Sequence, residues 1–175
     1  KSLIILSIMT SNIELDYLYS CTNNDEQNVK KLFIEHPKIC IDIGYRAFRK
    51  CCIKGHLELA KWLYETCKES INLKHNHYNI FNDTCFNNQL NVSKWLYTLN
   101  THSKHMLNDN RYVSVIFVQT CMKGYIDMAI WMFNTFEHKI IDNTSKYHKI
   151  IDNCCKKGYL DLLCWFTKYI YKFNN

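Results

Sequence analysis

Residues 54–64 read KGHLELAKWLY, and the pattern of this stretch returns three times further along the chain. The later copies are NQLNVSKWLY at 88–97, GYIDMAIWMF at 124–133 and GYLDLLCWF at 158–166. A recurrence every 33 to 36 residues is typical of a stacked repeat array, in which each repeat is one small structural unit. The chain is therefore predicted to be an array of repeats.

Each copy begins with a residue suited to a tight turn, and we number that residue as position zero: Gly55, Asn88, Gly124 and Gly158. A helix that ends and at once reverses needs a residue that tolerates positive φ, and glycine and then asparagine do so best. Mostly apolar residues fall at positions −8, −7, −4 and −3 and at +2, +4, +5, +7 and +8. These spacings place them on one stripe of a helix. Each unit is therefore predicted to be a pair of antiparallel helices.

The pattern predicts an all-α fold with one repeat domain over residues 1–175. The repeat units are assigned to 14–43, 44–77, 78–113, 114–146 and 147–175. The first unit is degenerate, and its turn is assigned to Asp25. Residues 1–13 are assigned to an N-terminal cap or to the remnant of a preceding repeat. Loops are predicted in the polar connections around 65–77, 98–113 and 134–147.

Residues 48–63, FRKCCIKGHLELAKWL, resemble the helix-turn-helix of ankyrin repeats, with the family's small-small-x-x-Gly-His-Leu-Glu-aliphatic run. The resemblance extends over roughly 14–170 and implies an α-solenoid, a row of stacked helix-turn-helix repeats. The Lys-Trp-Leu-Tyr ending is similar to that of divergent ankyrin proteins of large DNA viruses of amoebae. The family's Thr-Pro-Leu-His opening and its Gly-Ala-Asp finger signature are missing. Its β-hairpin fingers are therefore expected to be degenerate or absent.

Position −3 holds a cysteine in four units: Cys52, Cys85, Cys121 and Cys155. Helices packed side by side lie about 8–10 Å apart, whereas a disulfide needs Cα atoms within about 7 Å. These thiols are therefore predicted to stay reduced and to pack as small side chains, without forming disulfides or sharing a zinc ion. Position +7 holds a tryptophan that is predicted to be buried on the apolar stripe: Trp62, Trp95, Trp131 and Trp165.

The sequence contains no P-loop, no glycine-rich dinucleotide fingerprint and no nucleophile elbow. No metal and no cofactor are predicted, and the chain is predicted not to be an enzyme. The apolar run at 3–9 is too short to span a bilayer, so no membrane association is predicted. The predicted location is the cytoplasm, which means the host cytoplasm or the virion if the protein is viral.

An α-solenoid carries an extended concave surface of exposed first-helix positions and loop tips, which suits it to bind another protein. The predicted function is a non-catalytic protein–protein interaction module of this kind. Val115 and Val118 suit the core of an interface, and the cations on the helix before Gly55 are predicted to meet an acidic patch of the partner. The candidate contact residues lie at positions −9, −6 and −5: Arg46, Arg49, Lys50, Asn79, Asn82, Asp83, Val115, Val118, Gln119, Lys149, Asp152 and Asn153.

Two other functions stay open at this stage. The alternative is a structural component of a virion or of another assembly, in which the repeat array is itself the building block. Weak nucleic-acid binding through basic patches ranks third, because the net charge is +6 but the chain has no run of five or six like charges. The sequence identifies neither the partner protein nor the oligomeric state.

Overall fold

The computed structural model describes residues 2–71, 73–99, 110–140 and 147–170. These residues form helices and contain no strand. The all-α class is confirmed, whereas the arrangement as one solenoid stays a prediction. The helices are α1 Ser2–Thr22, α2 Glu26–Glu35, α3 Pro37–Asp42, α4 Gly44–Lys54, α5 Leu57–Thr66, α6 Leu73–Phe86, α7 Leu90–Leu99, α8 Asn110–Met122, α9 Ile126–Ile140, α10 Tyr147–Lys157 and α11 Leu160–Ile170.

The chain divides into two compact units, residues 1–99 and residues 100–175. The first unit contains α1 to α7, and the second contains α8 to α11. The predicted single repeat domain and its repeat boundaries stay a prediction. In the first unit, α1 packs against α4 and α4 packs against α6, so the first helices of three hairpins lie side by side in chain order. In the second unit, α8 packs against α10 in the same way.

Each hairpin reverses at one residue in the left-handed region. The φ values are 83° at Gly55, 75° at Gly124, 73° at Gly158 and 58° at Asn88, which confirms the four predicted turn positions. The N–H of the next residue donates a hydrogen bond to the carbonyl five residues back, as His56 does to Cys51 O at 3.0 Å. This bond satisfies a carbonyl that the end of the helix leaves without a partner.

The first turn lies one residue earlier than predicted. Asn24 has φ 59°, whereas Asp25 is the N-cap of α2 and its side chain accepts the N–H of Asn28 at 3.0 Å. Asn24 takes the turn position because asparagine tolerates the left-handed region. Asp25 takes the next position because a carboxylate caps the free N–H groups at the start of a helix. The correction moves every position on α1 by one residue. Positions −9 and −5 of the first hairpin are therefore Leu15 and Tyr19.

The predicted loops are partly helical. Helix α6 begins at Leu73, α8 begins at Asn110, and α9 continues to Ile140 across a non-helical residue at Phe136, which has φ −128°. A short helix, α3, also precedes α4. The repeat pattern missed these segments because its offsets end before them, although they contain buried residues such as Val113, Phe136 and Ile140. Residues 72, 100–109 and 141–146 lie outside the described part of the chain.

The large side chains at positions −7 and +8 form much of the core. Position −7 supplies rings that are fully buried in three hairpins of the first unit, and position +8 supplies aliphatic side chains opposite them: Tyr17, Phe48, Phe81, Leu63 and Leu96. The matching residues of the second unit include Phe117, Met132 and Phe166. Burying a side chain of this size stabilises the fold by roughly 1.5–3 kcal/mol. These large buried side chains therefore help to pack the helices of the hairpins together.

The tryptophans are half-buried, so the prediction that position +7 is buried is wrong: Trp62, Trp95, Trp131 and Trp165. Position +8 points into the core, and position +7 lies beside it at the seam between neighbouring second helices. Trp62 meets Phe33 at 5.4 Å between ring centroids, and Trp165 meets Phe133 at the same distance. Both pairs are edge-to-face, which is a favoured geometry for aromatic rings. Trp62, Trp95 and Trp165 thus join neighbouring hairpins without filling the core.

Two Gly→Ala substitutions in the second unit test whether a turn needs glycine only for its positive φ or also because a Cβ atom would clash with a neighbour. A Cβ at Gly124 would lie 2.8 Å from Cζ of Tyr159, whereas a Cβ at Gly158 would meet no described atom within 4 Å. Both substitutions cost roughly 1–2 kcal/mol because of the positive φ. Gly124→Ala should cost about 1 kcal/mol more, because the Tyr159 ring must move. Urea unfolding of the two variants measures the difference, and equal losses would contradict it.

Candidate functional site

The structure places the candidate residues in two groups, one in each compact unit. Helices α4 and α6 are neighbours and bring six of them together: Arg46, Arg49, Lys50, Asn79, Asn82 and Asp83. Helices α8 and α10 are also neighbours and carry the other six: Val115, Val118, Gln119, Lys149, Asp152 and Asn153. The packing of neighbouring first helices therefore brings positions −9, −6 and −5 of successive hairpins together within each unit.

The group in the second unit offers little specific chemistry. Val115 is 43% exposed, and Gln119, Lys149 and Asp152 are exposed. Asn153 is half-buried and donates a hydrogen bond from Nδ2 to Met122 O at 2.9 Å. This asparagine therefore joins α10 to the end of α8, which is a structural role that the sequence pattern did not indicate.

Ion pairs offset two of the three cations in the candidate group of the first unit. Arg49 donates from Nε to Asp83 Oδ2 at 2.8 Å, and its second guanidinium nitrogen lies 2.6 Å from the same oxygen. Arg46 lies 3.5 Å from Glu14 Oε2. Partly exposed pairs of this kind contribute about 0.2–1 kcal/mol of stability. Their larger effect is on the local field, which is less positive than the three cations alone suggest.

A polar pocket lies between α4 and α6. Its volume is about 320 Å³, and its lining residues are Tyr45, Arg49, Asn79, Asn82 and Asp83. The last four were predicted as contact residues. Tyr45 was missed, although it lies one helical turn before Arg49 on the same side of α4. Tyr45 lies at position −10, directly before Arg46. It was not predicted because only positions −9, −6 and −5 were selected.

Hydrogen bonding in this pocket is incomplete. The Oδ1 atom of Asn82 is buried and has no hydrogen-bond partner among the described residues. A buried acceptor in this state costs roughly 1–3 kcal/mol compared with a paired one. Burial raises the pKa of Tyr45, with a smaller opposing effect of Arg49 and a smaller raising effect of Asp83. Its hydroxyl therefore keeps its proton at neutral pH and is able to donate.

Two large apolar side chains are exposed on the other side of α4 from this pocket. Leu15 is 65% exposed and Tyr19 is 70% exposed, and both lie on α1, which packs against α4. They occupy the same positions of the repeat as Arg46 and Lys50. The sequence analysis missed them because a turn at Asp25 puts these positions at Asp16 and Ser20. The signal that could have found them is the Asn23-Asn24 pair before the aspartate.

The cysteines are packing residues in most repeats. Cys52, Cys85 and Cys121 are fully buried, and all ten cysteines are free thiols. Cys155 is exposed, contrary to the prediction. Position −3 of one hairpin faces the following hairpin. Cys21 is the −3 residue of the first hairpin, and its carbonyl oxygen accepts the thiol proton of Cys51, at position −4 of the second hairpin, at 3.4 Å. No described helix covers this side of α10, so Cys155 stays exposed.

Buried thiols in this protein are weak nucleophiles and weak ligands. Burial raises the pKa of Cys67 to about 11 and that of Cys85 to about 12, so both keep their protons at neutral pH. The described residues contain no group of three or more His, Cys, Asp or Glu side chains placed to hold a metal ion. None of the described helices is both long enough and apolar enough to cross a membrane.

Comparisons of the chain with protein-family models, with curated proteins and with solved structures give no match.

The exposures of the thiols predict two classes of reactivity. Cys155 and Cys164 are exposed and the other eight cysteines are buried. With an aromatic disulfide reagent at neutral pH, about two thiols should react rapidly and the rest slowly, because buried thiols react only after local opening. The absorbance of the released thiolate follows both phases. A Cys155→Ser, Cys164→Ser variant should lose the rapid phase, and a rapid phase of unchanged size would refute the assignment.

The raised thiol pKa values also predict a loss of stability at high pH. In the unfolded chain a thiol ionises near 9.0, whereas Cys85 in the fold ionises at about 12. Between these values the folded state binds more protons than the unfolded state, so the free energy of unfolding falls as the pH rises. From about pH 8 to pH 10.5, Cys85 alone should remove about 1–2 kcal/mol. Urea unfolding across this range should show a shallower fall for Cys85→Ala, and equal slopes would contradict the cause.

Proposed function

We propose that this chain is a non-catalytic protein-binding module built of ankyrin-like hairpins. Its binding surface is formed by the side chains at −9 and −5 of α1 and at −9, −6 and −5 of α4 and α6, together with the pocket between α4 and α6. We call this surface the first-helix face, and its members are Leu15, Tyr19, Arg46, Arg49, Lys50, Asn79, Asn82 and Asp83.

One observation carries the proposal: Leu15 and Tyr19 are 65% and 70% exposed on α1, which packs against α4 and its charged side chains. An apolar patch beside polar groups resembles the core and rim of a protein interface. Tyrosine and arginine are also enriched among the residues that contribute most to binding. Covering the exposed part of Leu15 would favour a complex by about 1–2 kcal/mol.

The chemistry of the face supports binding and gives no support to catalysis. The carboxylate of this face, Asp83, is held by Arg49 at 2.8 Å, so it is not a free base. The remaining groups of the pocket are amides and a phenol that keeps its proton. Such groups orient a ligand through hydrogen bonds and do not supply a nucleophile.

A cytoplasmic location forms part of the proposal. The ten cysteines of the chain are all free thiols, and most of them are buried. Free cysteines in this number suit a reducing compartment, because oxidising compartments favour disulfides. The location would be the host cytoplasm, or the virion, if the protein is viral.

The experiment compares two matched double variants of the purified full chain. Leu15→Lys, Tyr19→Lys changes two exposed apolar residues of the first-helix face. Ile34→Lys, Ile41→Lys changes two exposed apolar residues on α2 and α3 and serves as the control. Random peptides displayed on phage are selected on the wild-type chain, and the affinity of the enriched peptides is measured for all three proteins.

We expect the variant of the first-helix face to lose at least about tenfold in affinity, which corresponds to 1.4 kcal/mol. The control variant should bind as the wild type does. Equal binding by both variants would refute the first-helix face as the binding surface. A solution mass measurement accompanies the experiment, because a concentration-dependent mass that falls in the first variant would favour self-assembly instead.

A further inference from the structure

We propose that the pocket between α4 and α6 is a subsite for one uncharged amide group of an extended partner segment. This inference rests on the proposed function, because it names what the first-helix face binds at its polar end. The amide belongs either to an Asn or Gln side chain of the partner or to the partner's main chain, and both sources offer the same N–H and C=O groups.

Charge is the first reason for an uncharged ligand. The pocket contains one cation and one anion, and both nitrogens of Arg49 that lie near Asp83 contact its Oδ2 atom. A carboxylate ligand would compete for Arg49 and leave Asp83 without its cation. An ammonium or guanidinium ligand would compete for Asp83 and leave Arg49 without its anion. A neutral group enters without breaking this pair.

Hydrogen bonding is the second reason. The unpartnered Oδ1 of Asn82 requires a donor, and the Tyr45 hydroxyl and the amide of Asn79 stand in the same pocket as donors. A ligand that both donates and accepts within a few ångströms meets these needs, and an amide is the simplest such group in a peptide. An amide also satisfies Asn82 in either orientation of the Asn82 carboxamide, because it offers both a donor and an acceptor.

Size and position are the third reason. A volume of about 320 Å³ lies at the small end of ligand pockets and has room for one amide side chain or one peptide group. Leu15 and Tyr19 lie on the far side of α4 from this pocket, because α4 packs between α1 and α6. Neighbouring helices are about 8–10 Å apart and an extended chain advances about 3.3 Å per residue. An apolar residue roughly four positions from the amide would therefore reach Leu15 and Tyr19.

The probe is the set of peptides selected from a random displayed library on the full chain. We expect these peptides to share an apolar residue and, roughly four positions away, an Asn or Gln. Replacing that Asn or Gln with Glu, Lys or Leu should each weaken binding by at least about tenfold. If these replacements have no effect but N-methylation of one main-chain amide weakens binding to the same extent, the amide comes from the main chain.

Three protein variants assign the effect to the pocket. Asn82→Leu removes the unpartnered acceptor and should weaken binding by at least about tenfold. Tyr45→Phe removes one donor without changing the shape of the ring and should weaken binding several-fold, so it serves if Asn82→Leu does not fold. Asn91→Leu makes the same exchange at an exposed position on α7 and should leave binding unchanged.

The outcomes separate this inference from the proposed function. Peptides that need Leu15 and Tyr19 but bind Asn82→Leu and Tyr45→Phe as well as the wild type would overturn the amide subsite and leave the proposed function intact. Peptides that bind better with Glu or Lys at the amide position would also overturn it. If Leu15→Lys, Tyr19→Lys retains full affinity for every selected peptide, the proposed function fails and the subsite fails with it.

Discussion

The left-handed residue at the end of each first helix is the constraint on which the described structure depends. It occurs as glycine at three turns and as asparagine at two, with φ between 58° and 83°. It reverses the chain within two residues and allows the next N–H to bond back into the helix that has just ended. The turn residue sets where the first helix of a hairpin ends and where the second begins. It thereby helps to set which side chains of the two helices face the core and which face solvent.

Stacking then converts a repeat in sequence into contacts between hairpins. The cross-hairpin bonds of the first unit join residues 30 to 34 positions apart, including Cys51 to Cys21, His56 to Thr22 and Arg49 to Asp83. Asn153 and Met122 are 31 positions apart in the second unit. Each unit is thus held by short-range turns and by bonds of about one repeat in length. Repeat proteins gain their stability in this nearest-neighbour manner.

The proposed binding surface consists mainly of exposed positions that do not contribute to the core. Position −7 is occupied by a large ring in all three hairpins of the first unit. Positions −9 and −5 change freely, from Leu15 and Tyr19 to cations and then to Asn79 and Asp83. Neighbouring helices place these different side chains within reach of one ligand. A scaffold that repeats can therefore carry a surface that does not repeat, and that surface has an apolar end and a polar, nearly neutral end.

The sequence by itself determined the all-α class, four of the five turns and the buried rows at positions −8, −4, +4 and +8, because turn chemistry and apolar spacing are local properties of the chain. Tertiary structure decided the rest. The seam position of the tryptophans and the exposure of Cys155 depend on which neighbour packs against each helix, whereas the turn at Asn24 follows from local turn chemistry that the repeat pattern placed one residue later. The pairing of Arg49 with Asp83 and the pocket beside it depend on two helices that lie a full repeat apart in sequence. Spacing along one helix does not reveal such partners, because the distance between two hairpins is set only when they pack.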